Sequence, residues 1–169
     1  MIDARRDPAF AYLRLDFVAP IEVQELVYPS VACALLAARS QDVDVRTRIA
    51  TASSLTEARV IADATPVRAD WPQIEERSVR YLVRLKFASH PELAERLLDL
   101  RDDEIVAETD AVWGLSEDGA GENRLGPMLR WIRGRALFEY AERVLTPPPP
   151  PLDDDVDVDD LDLFTNAYA

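Results

Sequence analysis

The sequence predicts a mainly α protein with a small antiparallel β element, a single domain over residues 1–146, and a proline spacer with a disordered acidic tail over 147–169. Apolar residues recur at helical spacing behind capping residues through most of the chain. Near the start, two short runs instead alternate apolar and polar residues at the period of a strand. The boundary is set by Pro147 to Pro151, an unbroken proline run that ends any helix and makes an extended spacer.

In chain order, Leu13-Arg14-Leu15-Asp16-Phe17 alternates and is predicted as a short strand. Ile21-Glu22-Val23 alternates too, and Leu26-Val27-Tyr28 returns beside it, with Pro20 at a turn or an edge. Ser30 caps a helix from Val31 to Arg39, so rich in Ala and Leu that it is expected to be buried on most sides. Asp42 caps a second helix through Ile49. Ser54-Leu55-Thr56-Glu57 is a capping box that opens a third, to about Ala64. Asp70-Trp71-Pro72 starts a longer helix whose face is Ile74, Ser78, Tyr81, Leu82 and Leu85. Ser89-His90-Pro91-Glu92 is a second capping box, opening a helix through Leu98, and Glu104 to Glu108 is a short strand. Leu125, Met128, Leu129, Ile132, Leu137, Tyr140 and Val144 then follow the spacing of a long helix. Beyond the prolines, aspartates are mixed with Leu161, Leu163 and Phe164, with no face wide enough for a core. That stretch is either a solubilising tail or a segment that docks on a protein partner with a basic patch.

Composition narrows the function. Hydrophobic residues make up 48% of the 169, enough for one domain with a core. No apolar run is long enough to span a bilayer, and Met1-Ile2-Asp3-Ala4-Arg5-Arg6 lacks the apolar core of a signal peptide. The lone Cys33 excludes an internal disulfide, and no Asp/His/Cys set has metal-ligand spacing, so a cytoplasmic protein without metal or cofactor is expected. Net charge is −13, and the part before the aspartate-rich tail is acidic as well, which disfavours non-specific nucleic-acid binding. All basic residues but Lys86 are arginine, which suits planar recognition of phosphate or carboxylate.

The stretch from Trp113 to Gly126 holds four of the five glycines and runs into a helix. Such a loop offers N–H groups and the positive end of the helix dipole to an anion; the alternative is a plain surface loop capped by Asn123. Trp113 and Trp71 suit stacking on a base or packing in the core. Arg124 suits a phosphate or a salt bridge at the helix start. Cys33, among Ala and Leu, is expected to be a buried inert thiol, and Lys86 a surface lysine with its stem laid over Phe87.

Several of these pieces, in this order, resemble the YbiA-like N-glycosidase family, also called NADAR (NAD- and ADP-ribose-associated) domains, over roughly Leu13 to Leu137. The family has Trp-Gly, a glycine-rich loop, and Asn-Arg-Leu-Gly at a helix head; here these are Trp113-Gly114 and Asn123-Arg124-Leu125-Gly126. Arg68-Ala69-Asp70-Trp71 is similar to the family's entry to its long helix, and Leu85-Lys86-Phe87 to its close. Pro20-Ile21 and Tyr28-Pro29-Ser30 resemble the hairpin and the start of the buried helix. The resemblance implies a mainly helical domain that binds a ribosyl-phosphate or ADP-ribose-like N-glycoside. It implies ligand contacts from Trp113, Gly114, Gly119, Gly121, Asn123, Arg124, Arg68 and Trp71.

The sequence departs from the family where catalysis is expected. The family's Ser-Glu-His reads Val31-Ala32-Cys33, its Ser-Asn-Phe reads Leu15-Asp16-Phe17, and the acidic residue after Trp-Gly is Leu115. Lysines of the glycine loop become Ala120 and Glu122. The segment before Trp113 is about two residues short, which places Glu108 at or beside the family's glutamate. An oxocarbenium-like transition state needs a carboxylate at the anomeric carbon, and Glu108, Asp16 and Asp110 are the candidates. Three outcomes are open: a ligand-binding domain with weakened or lost N-glycosidase activity, an N-glycosidase working through these substituted carboxylates, or an interaction module acting through its acidic tail.

Overall fold

Two residues make the turn of the antiparallel hairpin. Strand β2 (Ile21–Val23) returns as β3 (Leu26–Tyr28), with Ile21 opposite Tyr28 and Val23 opposite Leu26. Gln24 and Glu25 between them have φ of 50° and 64°, the left-handed pair that matches a two-residue hairpin to the strand twist. Neither is glycine, so the turn holds strain of about 1 kcal/mol per residue. Glu25 is exposed. Glu25→Gly is therefore expected to raise stability by no more than about 0.6 kcal/mol, the strain of about 1 kcal/mol less about 0.4–1 kcal/mol for the greater freedom of glycine in the unfolded chain. Thermal unfolding measures this, and a lower Tm would show that the turn carries no such strain.

The computed structural model describes residues 1–101 and 104–145, with side chains through residue 136. The expected proline spacer and acidic tail, 147–169, lie outside these residues. The chain is mainly helical with a small antiparallel sheet, and backbone contacts divide its described residues into two compact units: residues 18–89, and residues 1–17 with 90–145.

In the 18–89 unit, helix α1 (Val31–Ala38) is the centre, packed by α2 (Val43–Ala50), α3 (Leu55–Asp63), α4 (Trp71–Ser89) and the hairpin. Val31, Ala34, Ala37 and Ala38 are fully buried; the small side chains let neighbours approach on several sides. Three of the predicted start signals act at short range. Ser30 accepts from the Cys33 N–H at 3.3 Å, Asp42 from the Asp44 and Val45 N–H groups, and Ser54 from the Glu57 N–H. Glu57 reaches back one residue further than a capping box requires, to the Ser53 N–H at 2.7 Å. Buried Arg46 ties α2 to the hairpin turn through Gln24 Oε1 at 3.0 Å.

Two expectations for α4 are corrected. Its buried face is Ile74, Ser78, Val79, Leu82, Val83, Lys86 and Phe87, while Tyr81 and Leu85 are only half-buried. Lys86, expected at the surface, is 1% exposed, with its ammonium 5.6 Å from the Phe87 ring centre. Ser89 closes α4 rather than opening the next helix. α5 (Pro91–Leu98) has His90 at its cap with no side-chain cap bond, so the second capping box does not form.

In the other unit, β1 (Ile2–Asp3) pairs in parallel with β4 (Ile105–Val106), with Ile2 opposite Ile105. Helix α6 (Leu125–Leu145) packs on β4 and α5, burying Leu125, Leu129 and Ile132. The expected strand at Leu13–Phe17 is not one. Pro8–Leu13 forms a 3-10 helix capped by Asp7, and the Arg14 N–H closes back on the Ala11 carbonyl at 3.1 Å. The alternation was real, since Leu13 and Leu15 are both buried. It reports which side faces inward, not whether a neighbouring strand exists.

Candidate functional site

Glu108 follows β4 and the buried Ala107. Its Oε1 accepts a hydrogen bond from the Leu15 N–H at 2.6 Å. Burial pushes the carboxyl above its ordinary value of 4.5, the Leu15 bond opposes that, the negative charge of Asp16 adds to it, Arg14 opposes it, and Asp110 adds to it. The charges of Asp16 and Asp110 thus both reach Glu108. Their occupations differ. Asp16 is clamped by Arg14 at 2.6 and 2.9 Å. Asp110 Oδ1 accepts from the Val112 and Trp113 N–H groups at 3.0 and 2.7 Å, an Asx turn that starts the glycine loop. Glu108 carries no ion pair among the described residues; its bond is to a backbone N–H. A carboxyl held this way, half-buried and resistant to ionisation, suits proton transfer.

The loop that follows is stitched to itself and to Glu108. The Leu115 N–H donates to the Glu108 carbonyl, and the Gly114 N–H to Asp110, both at 3.0 Å. A Cβ on Gly114 would lie 1.7 Å from the Glu108 carbonyl oxygen, so only glycine lets these backbones meet. Gly119, at φ 84°, turns the loop, and the Ser116 N–H closes it on the Ala120 carbonyl at 2.8 Å. Arg5 donates to the Leu115 and Ser116 carbonyls from outside the loop.

The helix start does not present its N–H groups to an anion, which corrects that expectation. The Asn123 N–H donates to the Gly114 carbonyl, Arg124 to Val112, Leu125 to Trp113 and Gly126 to Asn123, at 3.0 to 3.3 Å, and Pro127 has no N–H. Nor does Asn123 cap the helix with its side chain. At φ 48° it turns its amide inward, Nδ2 donating to the Ile105 carbonyl at 2.9 Å, while Oδ1 is buried with no hydrogen-bond partner among the described residues. Gly126 lets the helix sit on that carbonyl: a Cβ there would lie 2.1 Å from the Ile105 oxygen. A hollow of about 150 Å³ bordered by Glu104, Glu122, Asn123 and Arg130 opens beside it. Arg124, half-exposed, is paired with Glu122 at 2.6 Å.

Trp113 is half-buried in this unit, with Gly114, Gly119, Gly121, Asn123 and Arg124 in the same loop. Arg68 and Trp71 belong to the 18–89 unit. There the Trp71 N–H donates to the Arg68 carbonyl, and the buried Arg68 guanidinium makes a two-pronged pair with Asp70 at 2.6 and 2.7 Å. Ala32 and Cys33, where the family's carboxylate and imidazole are expected, stand in α1 of that unit, Cys33 fully enclosed. Sequence reasoning overlooked three features: the Leu15 N–H that holds Glu108, the Asp3–Arg5 pair against the loop, and the burial of Lys86. Only the last had a local signal, since Lys86 follows the apolar step of α4 from Leu82 and Val83 at helical spacing.

The class of protein follows from this arrangement and from its likeness to known proteins. The NADAR domain model matches residues 11–136, and the chain belongs to the NADAR domain family. The N-glycosidase YbiA of Escherichia coli strain K12 is 33% identical over 124 residues, which is 71% of this chain and 78% of that protein. The NMR structure of the E. coli YbiA protein superimposes with a TM-score of 0.74 at 28% identity, covering 84% of this chain and 88% of that one. A riboflavin biosynthesis protein of Vibrio vulnificus is 40% identical over 76 residues, 44% of this chain and 20% of that protein. The fold is thus YbiA-like.

Proposed function

We propose that this protein is an N-glycosidase that hydrolyses a base–ribose bond in a ribosyl-phosphate or ADP-ribose-like substrate, with Glu108 as the proton-transferring group. The observation that carries the proposal is the Glu108 carboxyl, half-buried, fixed by the Leu15 N–H and raised in pKa mainly by burial. N-glycosidase names among its relatives support the reaction class. In the proposed step the bond from the anomeric carbon to the base nitrogen breaks, and Glu108 gives its proton to the leaving base. Water then adds its oxygen to the anomeric carbon, and one water proton restores the Glu108 carboxyl. Asp16 and Asp110 supply negative charge beside the oxocarbenium-like centre. Trp113 stacks on the base, the loop from Gly114 to Gly121 shapes its pocket, and Asn123 and Arg124 complete the ligand contacts of this unit. Arg124 exchanges Glu122 for phosphate. The lone cysteine and acid-rich composition accord with a cytoplasmic setting.

A second possibility is favoured by Ala32 and Cys33, which replace a carboxylate and an imidazole with groups unfit for acid–base work: the domain then binds the same ligand with catalysis weakened or lost. An assay for free base and ribosyl product, on phosphorylated riboflavin precursors and ADP-ribose, separates the two. Thermal shifts test the ligand class directly. ADP-ribose, NAD or ribose 5-phosphate at about a hundred times its dissociation constant should stabilise the fold by about 2.7 kcal/mol. Arg124→Ala should remove most of that shift while leaving the unliganded Tm within about 1 °C, since exposed ion pairs contribute little. An equal shift in both proteins would remove Arg124 from the ligand site.

A further inference from the structure

Asp3 and Arg5 lie outside the 11–136 stretch matched by the family, yet they grip the loop that carries the candidate site. Arg5 Nε and Nη2 donate to the two Asp3 carboxylate oxygens at 2.8 and 2.7 Å, and the Arg5 N–H donates to Asp3 Oδ1 at 3.1 Å. The remaining prong, Nη1, donates to the Leu115 carbonyl and, at 3.2 Å, to the Ser116 carbonyl. Both side chains are largely buried, 12% and 16% exposed, so the pair is shielded from competing water and salt. Asp3 itself is anchored, because β1 pairs with β4 and places Asp3 opposite Val106.

Leu115 is held from both ends: its carbonyl by Arg5, and its N–H by the Glu108 carbonyl at 3.0 Å. Resting on the proposed role of Glu108, we infer that Arg5 is a positioning residue, and that the Asp3–Arg5 pair is an N-terminal strap fixing Glu108 through Leu115. Arginine is required because one guanidinium must face a carboxylate with one edge and two carbonyls with the other. Lysine keeps the charge but has no fork. The strap and the Leu15 N–H together pin Glu108 at its main chain and at its carboxyl, both from residues 1–17.

The test compares wild type with Arg5→Met and Arg5→Lys. Backbone hydrogen exchange, resolved at Leu115 and Ser116, is read beside exchange in α1 and α4. Arg5→Met should speed exchange at Leu115 about tenfold or more, with α1 and α4 unchanged, and Arg5→Lys should fall between. In the turnover assay, kcat should fall about tenfold in Arg5→Met with KM within about twofold, because the reacting group is displaced while the binding contacts remain. The NMR titration of the Glu108 carboxyl should shift in Arg5→Met. Unchanged Leu115 exchange together with an unchanged Glu108 titration overturns the strap, as does an exchange increase spread equally over α1 and α4. If wild type shows no turnover, the N-glycosidase proposal fails, and exchange and titration still decide the strap. If Arg5→Met does not fold, Arg5→Lys carries the same readouts.

Discussion

Gly114→Ala should destabilise the protein by about 3 kcal/mol or more and abolish turnover. The added methyl would stand 1.7 Å from the Glu108 carbonyl oxygen, a backbone atom that cannot swing aside as a side-chain tip can. Relief requires the loop to lift off Glu108, which breaks the Leu115 N–H bond to that carbonyl and disturbs the Gly114 bond to Asp110. A chain of this size loses about 2–4 °C in Tm per kcal/mol, so urea and thermal unfolding both read the effect. A variant within about 1 kcal/mol of wild type would show that the two backbones are not locked together. Gly119→Ala is the control within the same loop. Its Cβ meets nothing within 4 Å, so its only cost is the φ of 84°, about 1 kcal/mol.

Glu108→Gln should lower turnover by about 10² to 10⁴ while leaving the fold intact. Glutamine keeps the oxygen that accepts the Leu15 N–H, and loses only the titrating proton. The sign of its stability effect follows from the direction of the shift. The folded pKa of Glu108 lies above its ordinary value of 4.5, chiefly through burial. The stability contributed by the protonated carboxyl is therefore full below 4.5 and is lost as pH rises through the raised folded value. Glutamine never ionises, so Glu108→Gln should gain on wild type as pH rises from acid to neutral. A series of Tm values across that range measures it, and a variant that instead loses ground toward neutral pH would mean that the folded protein stabilises the carboxylate. The same titration governs turnover. With Glu108 as proton donor, the rate should fall as pH rises through the raised pKa, and Glu108→Gln should remove that limb of the profile. Turnover within fivefold of wild type would move the chemistry to another group.

Much of the fold was legible because its signals are local. Ser30, Asp42 and Ser54 each bond an N–H two or three residues ahead, so the sequence states those helix starts outright. The β2–β3 hairpin closes over two residues, and the alternation of its strands is enough to pair them. Trp113-Gly114 and Asn123 to Gly126 were legible as a family pattern, although not for their physical role. Gly114 and Gly126 serve contacts with the Glu108 and Ile105 carbonyls, which no glycine count reveals.

The failures share one cause. Leu13–Phe17 alternates as a strand would, yet a strand also needs a neighbour, and here Leu15 gives its N–H to a side chain 93 positions away. Lys86 looked like a surface cation because an isolated lysine belongs in water; the packing of α4 encloses it. Ser89 and Glu92 have the spacing of a cap, but Ser89 is already the last residue of α4. The sequence by itself determined the helices, the hairpin, the family and the supply of carboxyl groups. Tertiary structure alone decided that Glu108 is the carboxyl held half-buried by a backbone N–H, that the helix-start N–H groups close the loop rather than face a ligand, and that Arg5 clamps that loop. A pKa and a hydrogen-bond partner depend on what surrounds a group in space, and those surroundings come from residues about a hundred positions apart that only the folded chain brings together.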